Sequence, residues 1–399
     1  MIKNKNAINA IYLGVLCSVA YLAVYIARNT LSAVTPQMIE NGFNEVYIGR
    51  ASSIYFIFYA IGQLINGAIG DKIKAKYMMC IGLFMAGVTN IAFVYSPSAD
   101  NTIALYVYGI TGFFLSMIYG PMTKVVSENT EHTYAVRCSL GYTFSSFLGS
   151  PVAGVAAAIM VWQSVFLSSS YALWIMAVVC FVCFGILEKK GVVTYNKFDR
   201  QKGQGGGVRL LIKRRIIKFT IVSVLTGVIR TTVVFWMPTY ISQHLMFSSQ
   251  DSALIFTVST LAISSTAFIT VFIYEKLKSN MDLTLLLMFG LSALFFLVIY
   301  FVKIPLVNIV FLTLGIMAAN GASTMLWSIY CTSLSDTGMV SGATGYLDFM
   351  SYMAAAVSSS LFANAVSDIG WSNLILIWCG LMVIGTLISI PKTHSGADA

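Results

Sequence analysis

Long apolar runs separated by short polar stretches divide the whole chain. Twelve such runs can be traced, over residues 8–36, 46–69, 77–96, 102–126, 136–160, 164–187, 216–243, 251–274, 282–302, 304–333, 340–366 and 370–391. Because about 20 apolar residues span a bilayer as a helix, each run is long enough to cross a membrane. The pattern therefore predicts an all-α membrane protein with twelve transmembrane helices.

One long polar stretch interrupts this pattern near the middle of the chain. It is rich in lysine and arginine and contains a glycine run at 203–207. A glycine run binds phosphate where it joins a strand to a helix, and no strand is predicted before this one, so a flexible linker is the favoured interpretation. We expect an N-terminal six-helix half over 1–187, a cytoplasmic linker over 188–215 and a C-terminal six-helix half over 216–399.

Composition and charge agree with a membrane protein. Hydrophobic residues make up 58% of the chain and charged residues 10%, whereas a soluble protein carries about 25% charged residues. The net charge of +9 is not a nucleic-acid signal, because lysine and arginine collect on one side of the predicted spans. This positive-inside distribution places both termini in the cytoplasm of a multi-pass inner-membrane protein.

Two arginines within apolar spans each begin a similar short sequence motif. Arg28 lies in IARNTLSAVTP and Arg230 in VIRTTVVFWMP, 202 positions apart, and the dipeptide Gly-Tyr recurs at Gly141 and Gly345. An arginine keeps its charge, and a charge at the bilayer centre costs at least about 2.5–3.5 kcal/mol. The repeat predicts two pseudo-symmetric halves that each contribute one cation to an anion site between them.

Polar side chains accompany these arginines. Tyr21 and Tyr25 lie on the same helical face as Arg28, and their hydroxyls can bind phosphate or carboxylate oxygens. Asp348 is an isolated carboxylate in the eleventh span, which is a functional hypothesis by default. It could bind a sugar hydroxyl, pair with a cationic group of the substrate or carry a proton. A structural pair with Arg230 and a position near solvent are the alternatives.

The loop after the second span reads GAIGDKIKAKY and contains Asp71 and Lys72. It resembles the loop signature of major facilitator transporters, with Lys74 in place of the second glycine. An aspartate at a cytoplasmic helix end can form a latch with helix termini and basic residues that breaks as the halves move. We expect Asp71 and Lys72 to act in gating, and a solvated loop is the alternative.

Taken together, these residues resemble the organophosphate:phosphate antiporters, the bacterial glycerol-3-phosphate and hexose-phosphate transporters. The first-span motif is matched by Tyr21, Tyr25, Arg28 and Pro36, and the seventh-span motif by Arg230 followed by WMPTY. Tyr59 matches a tyrosine of the second span. The resemblance implies that Arg28 and Arg230 clamp a phosphate group, and that an organic phosphate is exchanged for inorganic phosphate.

The sequence departs from this family pattern in three places. Gln63 stands where glycerol-phosphate members carry a lysine, Ser146 aligns with their histidine, and Asp348 replaces an uncharged residue. We include Gln63 among the substrate-binding residues. The three histidines, His132, His244 and His394, fall in predicted loops or the tail, so none is an obvious proton carrier within the membrane.

We therefore expect a monomeric transporter of a small organic anion, most simply a phosphate ester, that works by alternating access. Proton-coupled symport of sugar acids or other carboxylates is the first alternative, and a transporter-like sugar-phosphate receptor is the second. The sequence contains no enzyme motif, and we expect no cofactor, no metal site and no nucleic-acid partner. The expected partners are the lipid bilayer, the anionic substrate and inorganic phosphate.

Overall fold

The computed structural model describes residues 2–70, 73–95, 101–195, 207–334 and 340–391, and all regular elements in these ranges are helical. The described part of the first half contains α1 (Ile2–Glu40), α2 (Glu45–Gly70), α3 (Ala75–Val94), α4 (Thr102–Leu115), α5 (Tyr119–Asn129), α6 (His132–Ile159) and α7 (Trp162–Lys189). The α1 helix continues through Pro36 to Glu40, beyond the predicted end of the first apolar run.

The described part of the second half is interrupted more often. It contains α8 (Gly207–Lys213), α9 (Ile216–Gly227), α10 (Val234–Gln243), α11 (Ser249–Ser264), α12 (Thr266–Lys276), α13 (Met281–Phe301), α14 (Pro305–Thr324), α15 (Cys331–Ser333) and α16 (Val340–Ser389). Two π-helical segments complete it: π1 (Val228–Val233) joins α9 to α10, and π2 (Met325–Tyr330) joins α14 to α15.

Ten helical stretches among the described residues are long and apolar enough to cross a membrane. One of them, Ala343–Ser389, covers two predicted spans. It is broken at Gly370, whose φ of 76° lies in a region that glycine adopts at no steric cost. Large apolar side chains such as Phe268 and Ile175 are exposed on the helices. Such an exterior suits lipid, where helices satisfy their backbone hydrogen bonds internally.

The chain forms two compact units. Unit 1 contains Met1–Gln201, Phe235–Leu261 and Ala356–Asn364, and unit 2 contains Lys202–Val234, Ala262–Ala355 and Ala365–Ala399. Within unit 1, α1 packs along α6, α2 along α4 and α3 along α7. Within unit 2, α14 packs on both α12 and α13.

Hydrogen bonds connect two stretches of the second half to the rest of unit 1. The Ser32 hydroxyl donates to the Phe235 carbonyl over 2.7 Å, and the Ser53 hydroxyl donates to the Ala356 carbonyl. The carboxylate of Glu45 accepts from the Gln243 amide at 2.6 Å. The chain passes from unit 2 to unit 1 directly after π1, the segment that carries Arg230.

Candidate functional site

Arg28 lies within the apolar stretch Asn6–Glu40, where its half-buried guanidinium is surrounded by aromatic rings. Its Cζ atom is 5.2 Å from the ring centroid of Tyr25, 5.7 Å from that of Phe56 and 5.1 Å from that of Tyr59. Cations at this distance from a ring are attracted by its negative face. The rings therefore hold a permanent positive charge within the membrane without neutralising it.

The arrangement follows from the local sequence. Tyr25 is one helical turn before Arg28 in α1, and Phe56 and Tyr59 are one turn apart on α2. The ring of Tyr59 stacks on Tyr55 at a centroid distance of 6.1 Å, and Tyr59 is only 1% exposed. Stacking and burial restrict the orientation of the Tyr59 ring on the α2 side of Arg28.

A second aromatic group continues from this pocket. Tyr21 packs edge-on against Tyr25 with 4.9 Å between centroids, and it also contacts Tyr119 at 5.6 Å and Tyr142 at 6.2 Å. Helical spacing and the family motif predict Tyr21, Tyr25 and Tyr59 near Arg28, and the structure brings these four side chains together. The sequence does not predict the rings of Phe56, Tyr119 and Tyr142, although Phe56 shares the helical face of Tyr59.

Two polar groups of unit 1 remain available for a ligand. The Tyr25 hydroxyl and the Gln63 amide form no hydrogen bond with any residue that the structure describes. Gln63 is half-buried and follows Tyr59 by one turn of α2, so the two side chains share a face. Both groups can donate to or accept from an anion or a hydroxyl.

Arg230 occupies a different setting in unit 2. It lies in π1, near the middle of the apolar stretch Ile216–Gln243, and is half-buried. Its guanidinium makes neither a hydrogen bond nor an ion pair within the described parts of the chain. Its Cζ atom lies 6.0 Å from the ring centroid of Trp327. Five N–H donors are therefore directed at no acceptor among the described residues.

Trp327 is a residue of unit 2 that the sequence does not predict beside Arg230. It lies in π2, 97 positions after Arg230, and no motif connects the two in the sequence. The signal was weak, because an isolated tryptophan in an apolar span is also typical of packing or of a membrane interface.

Asp348 belongs to the same compact unit as Arg230, but the two residues lie at different heights along their neighbouring helices, as hydrogen bonds between these helices show. The Ser223 hydroxyl donates to the Leu347 carbonyl over 2.6 Å, and the Thr232 hydroxyl donates to the Ala355 carbonyl over 3.1 Å. This register sets Asp348 beside the α9 residues near Ser223, about two helical turns before the level of Arg230.

The surroundings of Cys331 support this placement of Asp348. The charge of Asp348 acts on the thiol of Cys331, so the two side chains are near one another. Cys331 follows π2, so Asp348 lies near the end of the helix that carries Trp327.

The same helix contact occurs beside each arginine. A Cβ atom placed on Gly149 of α6 would lie 2.7 Å from the carbonyl carbon of Tyr25, and one placed on Gly227 of α9 would lie 2.9 Å from the Cα atom of Ser351. Gly227 and Ser351 follow Tyr25 and Gly149 by 202 positions, the interval between the two arginines. The close helix contact is therefore part of the internal repeat. The glycine lies on α6 in the first half, facing α1, and on α9 in the second half, facing α16.

Some predicted residues fall elsewhere. Asp71, Lys72 and His394 lie outside the described residues. Ser146 is half-buried in α6. His244 follows α10 and stacks on Tyr240 at 5.1 Å, and burial lowers its pKa. Over the described ranges, no three His, Cys, Asp or Glu side chains form a group suited to a metal ion.

Comparison with known proteins identifies the kind of protein. The Major Facilitator Superfamily pattern matches residues 17–359. The phosphoglycerate transporter protein of Salmonella typhimurium is 22% identical, over 98% of this chain and 89% of that protein. The glycerol-3-phosphate transporter of Bacillus subtilis is 21% identical, over 87% and 83% of the two chains. These relatives are transporters and not enzymes.

A solved structure supports the fold alone. The crystal structure of a bacterial homologue of the human lysosomal transporter Spinster, in an inward-facing and unoccupied conformation, superposes with a TM-score of 0.79. The match covers 96% of both chains at 9% identity. An identity this low carries no information on the substrate.

Proposed function

Since the chain belongs to the Major Facilitator Superfamily, we propose that it carries an organic phosphate ester across the inner membrane in exchange for inorganic phosphate. In this proposal twelve helices span the membrane, both termini are cytoplasmic, and a monomer transports by alternating access. The observation that carries the proposal is Arg230, a cation within an apolar helix whose donors meet no acceptor among the described residues.

The chemistry of a guanidinium favours phosphate. Its planar fork donates two parallel hydrogen bonds to two oxygens of one phosphate or carboxylate group, and its charge does not titrate. A phosphate monoester carries about −1.5 to −2 charges at neutral pH. Two arginines match that charge better than they match a monovalent carboxylate. The two relatives, a phosphoglycerate transporter and a glycerol-3-phosphate transporter, support the same substrate class.

We propose that Arg28 and Arg230 both bind the phosphate group, on the basis of the sequence repeat and their charge. Without an anion, two like charges resist closure, and a bound anion removes that repulsion. A ligand shifts a conformational equilibrium by its difference in affinity for the two states. A carrier that closes only when loaded performs exchange.

The remaining site residues have supporting roles in the proposal. Tyr21, Tyr25, Tyr59 and Gln63 shape the pocket beside Arg28, and Asp348 selects for the organic part of the substrate. Asp71 and Lys72 act in gating at the cytoplasmic side, as the sequence motif indicates.

Counterflow in proteoliposomes tests this function. Vesicles loaded with inorganic phosphate should take up labelled external phosphate, without a pH gradient, and Arg28→Ala and Arg230→Ala should abolish the uptake. Gly345→Ala is the matched control, because a Cβ atom there meets no neighbour within 4 Å. Thermal unfolding of each purified variant shows whether it is folded.

Two results contradict the proposal. Uptake of carboxylates that requires a proton gradient, with no phosphate counterflow, indicates a symporter. Phosphate binding by folded protein without any movement of phosphate indicates a receptor.

A further inference from the structure

Trp327 combines three properties that the packing of an apolar core does not explain. Its side chain is half-buried, its indole N–H is shielded from solvent, and that N–H has no hydrogen-bond acceptor among the residues described. A buried donor without an acceptor costs about 1–3 kcal/mol. In the same place the ring faces the Arg230 guanidinium.

Other tryptophans show that this combination is specific to one position. Trp174 is also partly accessible, but its N–H donates to the Phe84 carbonyl over 3.0 Å. The N–H of Trp236 also lacks an acceptor in the described ranges, but that side chain is 0% exposed and has no cation over its ring. Only at Trp327 do an accessible ring, an unused donor and an arginine coincide within the described residues.

The backbone supports a role in binding. Arg230 and Trp327 each lie in a π-helical segment, and π1 and π2 are the two such segments in the described chain. A π-helical turn replaces the regular i→i+4 hydrogen bonds with wider ones, and such turns are frequent at functional sites. The irregular backbone geometry therefore occurs at both Arg230 and Trp327.

We propose that the Trp327 indole N–H donates a hydrogen bond to an oxygen of the anion bound by Arg230, an inference that rests on the proposed function. The two-pronged fork of Arg230 takes two oxygens of the anion. A tetrahedral phosphate then offers a third oxygen to the indole, whereas a carboxylate has no oxygen left. Trp327 is thus a substrate-binding residue that selects phosphate over carboxylate.

Replacement of Trp327 by phenylalanine tests the contribution of the hydrogen-bond donor separately from that of the aromatic face. Trp327→Phe keeps an aromatic face for Arg230 but removes the N–H and part of the ring, so inorganic phosphate should bind about tenfold more weakly, the effect of one hydrogen bond to a charged group. Calorimetric titration of the purified transporter measures this affinity. Acetate binding should be unchanged, and Trp327→His, which restores a ring N–H, should recover part of the phosphate affinity.

Intrinsic fluorescence supplies a readout that a purely structural role does not change. Phosphate should alter the tryptophan emission of the wild-type protein and leave that of Trp327→Phe unaltered. Trp378→Phe is the matched control, because Trp378 is a fully buried tryptophan of unit 2 that packs on Phe296 at a centroid distance of 5.9 Å. That variant should keep both the affinity and the emission change.

The outcomes distinguish the two levels of the proposal. Wild-type phosphate affinity and an unchanged phosphate response in folded Trp327→Phe overturn the role of Trp327 alone. If the wild-type protein itself binds no phosphate, the proposed function fails, and the role of Trp327 fails with it.

Discussion

The two arginines share a sequence motif but differ in the side chains around them. Arg28 lies in a regular α-helix with three aromatic rings around its guanidinium. Arg230 lies in a π-helical segment with one ring, Trp327, at 6.0 Å. The first charge lies among three aromatic rings, two of which are buried, whereas the second presents donors that no described residue uses. The two repeats therefore share the positive charge but differ in the side chains that surround it.

The difference indicates a division of tasks between the halves. The negative face of an aromatic ring attracts a cation electrostatically, and this attraction does not depend on the hydrogen-bonding geometry of the cation. Unused N–H donors, in contrast, bind oxygens with a defined direction. We infer that Arg28 contributes mainly charge and that Arg230, with Trp327, contributes geometry.

Replacement of each arginine by lysine tests this division and has the largest expected effect. Lysine keeps the charge but loses the bidentate fork. Arg230→Lys should lower phosphate exchange about 100-fold, the effect of losing a charge-assisted bidentate contact. Arg28→Lys should lower it about tenfold, since an ammonium still binds to aromatic rings. Exchange rates in proteoliposomes measure both, and equal losses contradict the division.

The glycine contacts beside the arginines test whether the packing repeat is real. Gly149→Ala and Gly227→Ala should each destabilise the protein by about 1–3 kcal/mol, because the new methyl group meets backbone atoms of the facing helix. The thermal-unfolding midpoint should fall by several degrees in both. Gly345→Ala, which meets no neighbour within 4 Å, should leave the midpoint unchanged or raise it. A midpoint that falls in only one of the two contact variants contradicts the equivalence.

The Tyr25 hydroxyl gives the smallest and most local test. Because it bonds to none of the described residues, Tyr25→Phe should leave the unfolding midpoint unchanged. If the hydroxyl contacts the substrate, the affinity for inorganic phosphate should fall about threefold to tenfold. Tyr12→Phe is the control, since Tyr12 lies on the same helix with 62% of its surface exposed. An unchanged phosphate affinity in Tyr25→Phe removes the hydroxyl from the site and leaves Tyr25 as a ring beside Arg28.

Local patterns in the sequence indicate which side chains lie close together. Helical spacing and a family motif predict Tyr21, Tyr25 and Tyr59 near Arg28, and in the structure the four side chains form one group. The break at Gly370 was visible as a polar interruption between two apolar runs. Helical periodicity acts over one or two turns, so short-range groupings of this kind can be derived from the chain.

Other features depended on contacts between distant segments. Trp327 meets Arg230 across 97 positions, and the level of Asp348 depends on the hydrogen bond between Ser223 and Leu347. The π-helical segments also have no sequence signature here, since VIRTTV and MLWSIY contain no glycine or proline. No periodicity in the sequence predicts which helices pack together, or at which register.

The sequence by itself determined the class of protein, the helical architecture and the two charged positions, because burying polar backbone and charge in lipid imposes strong constraints that each segment must meet alone. The tertiary structure decided what surrounds each charge, namely three rings at Arg28 and an unused indole donor at Arg230. Those surroundings depend on close packing between helices, where one glycine at 149 or 227 sets the distance of approach.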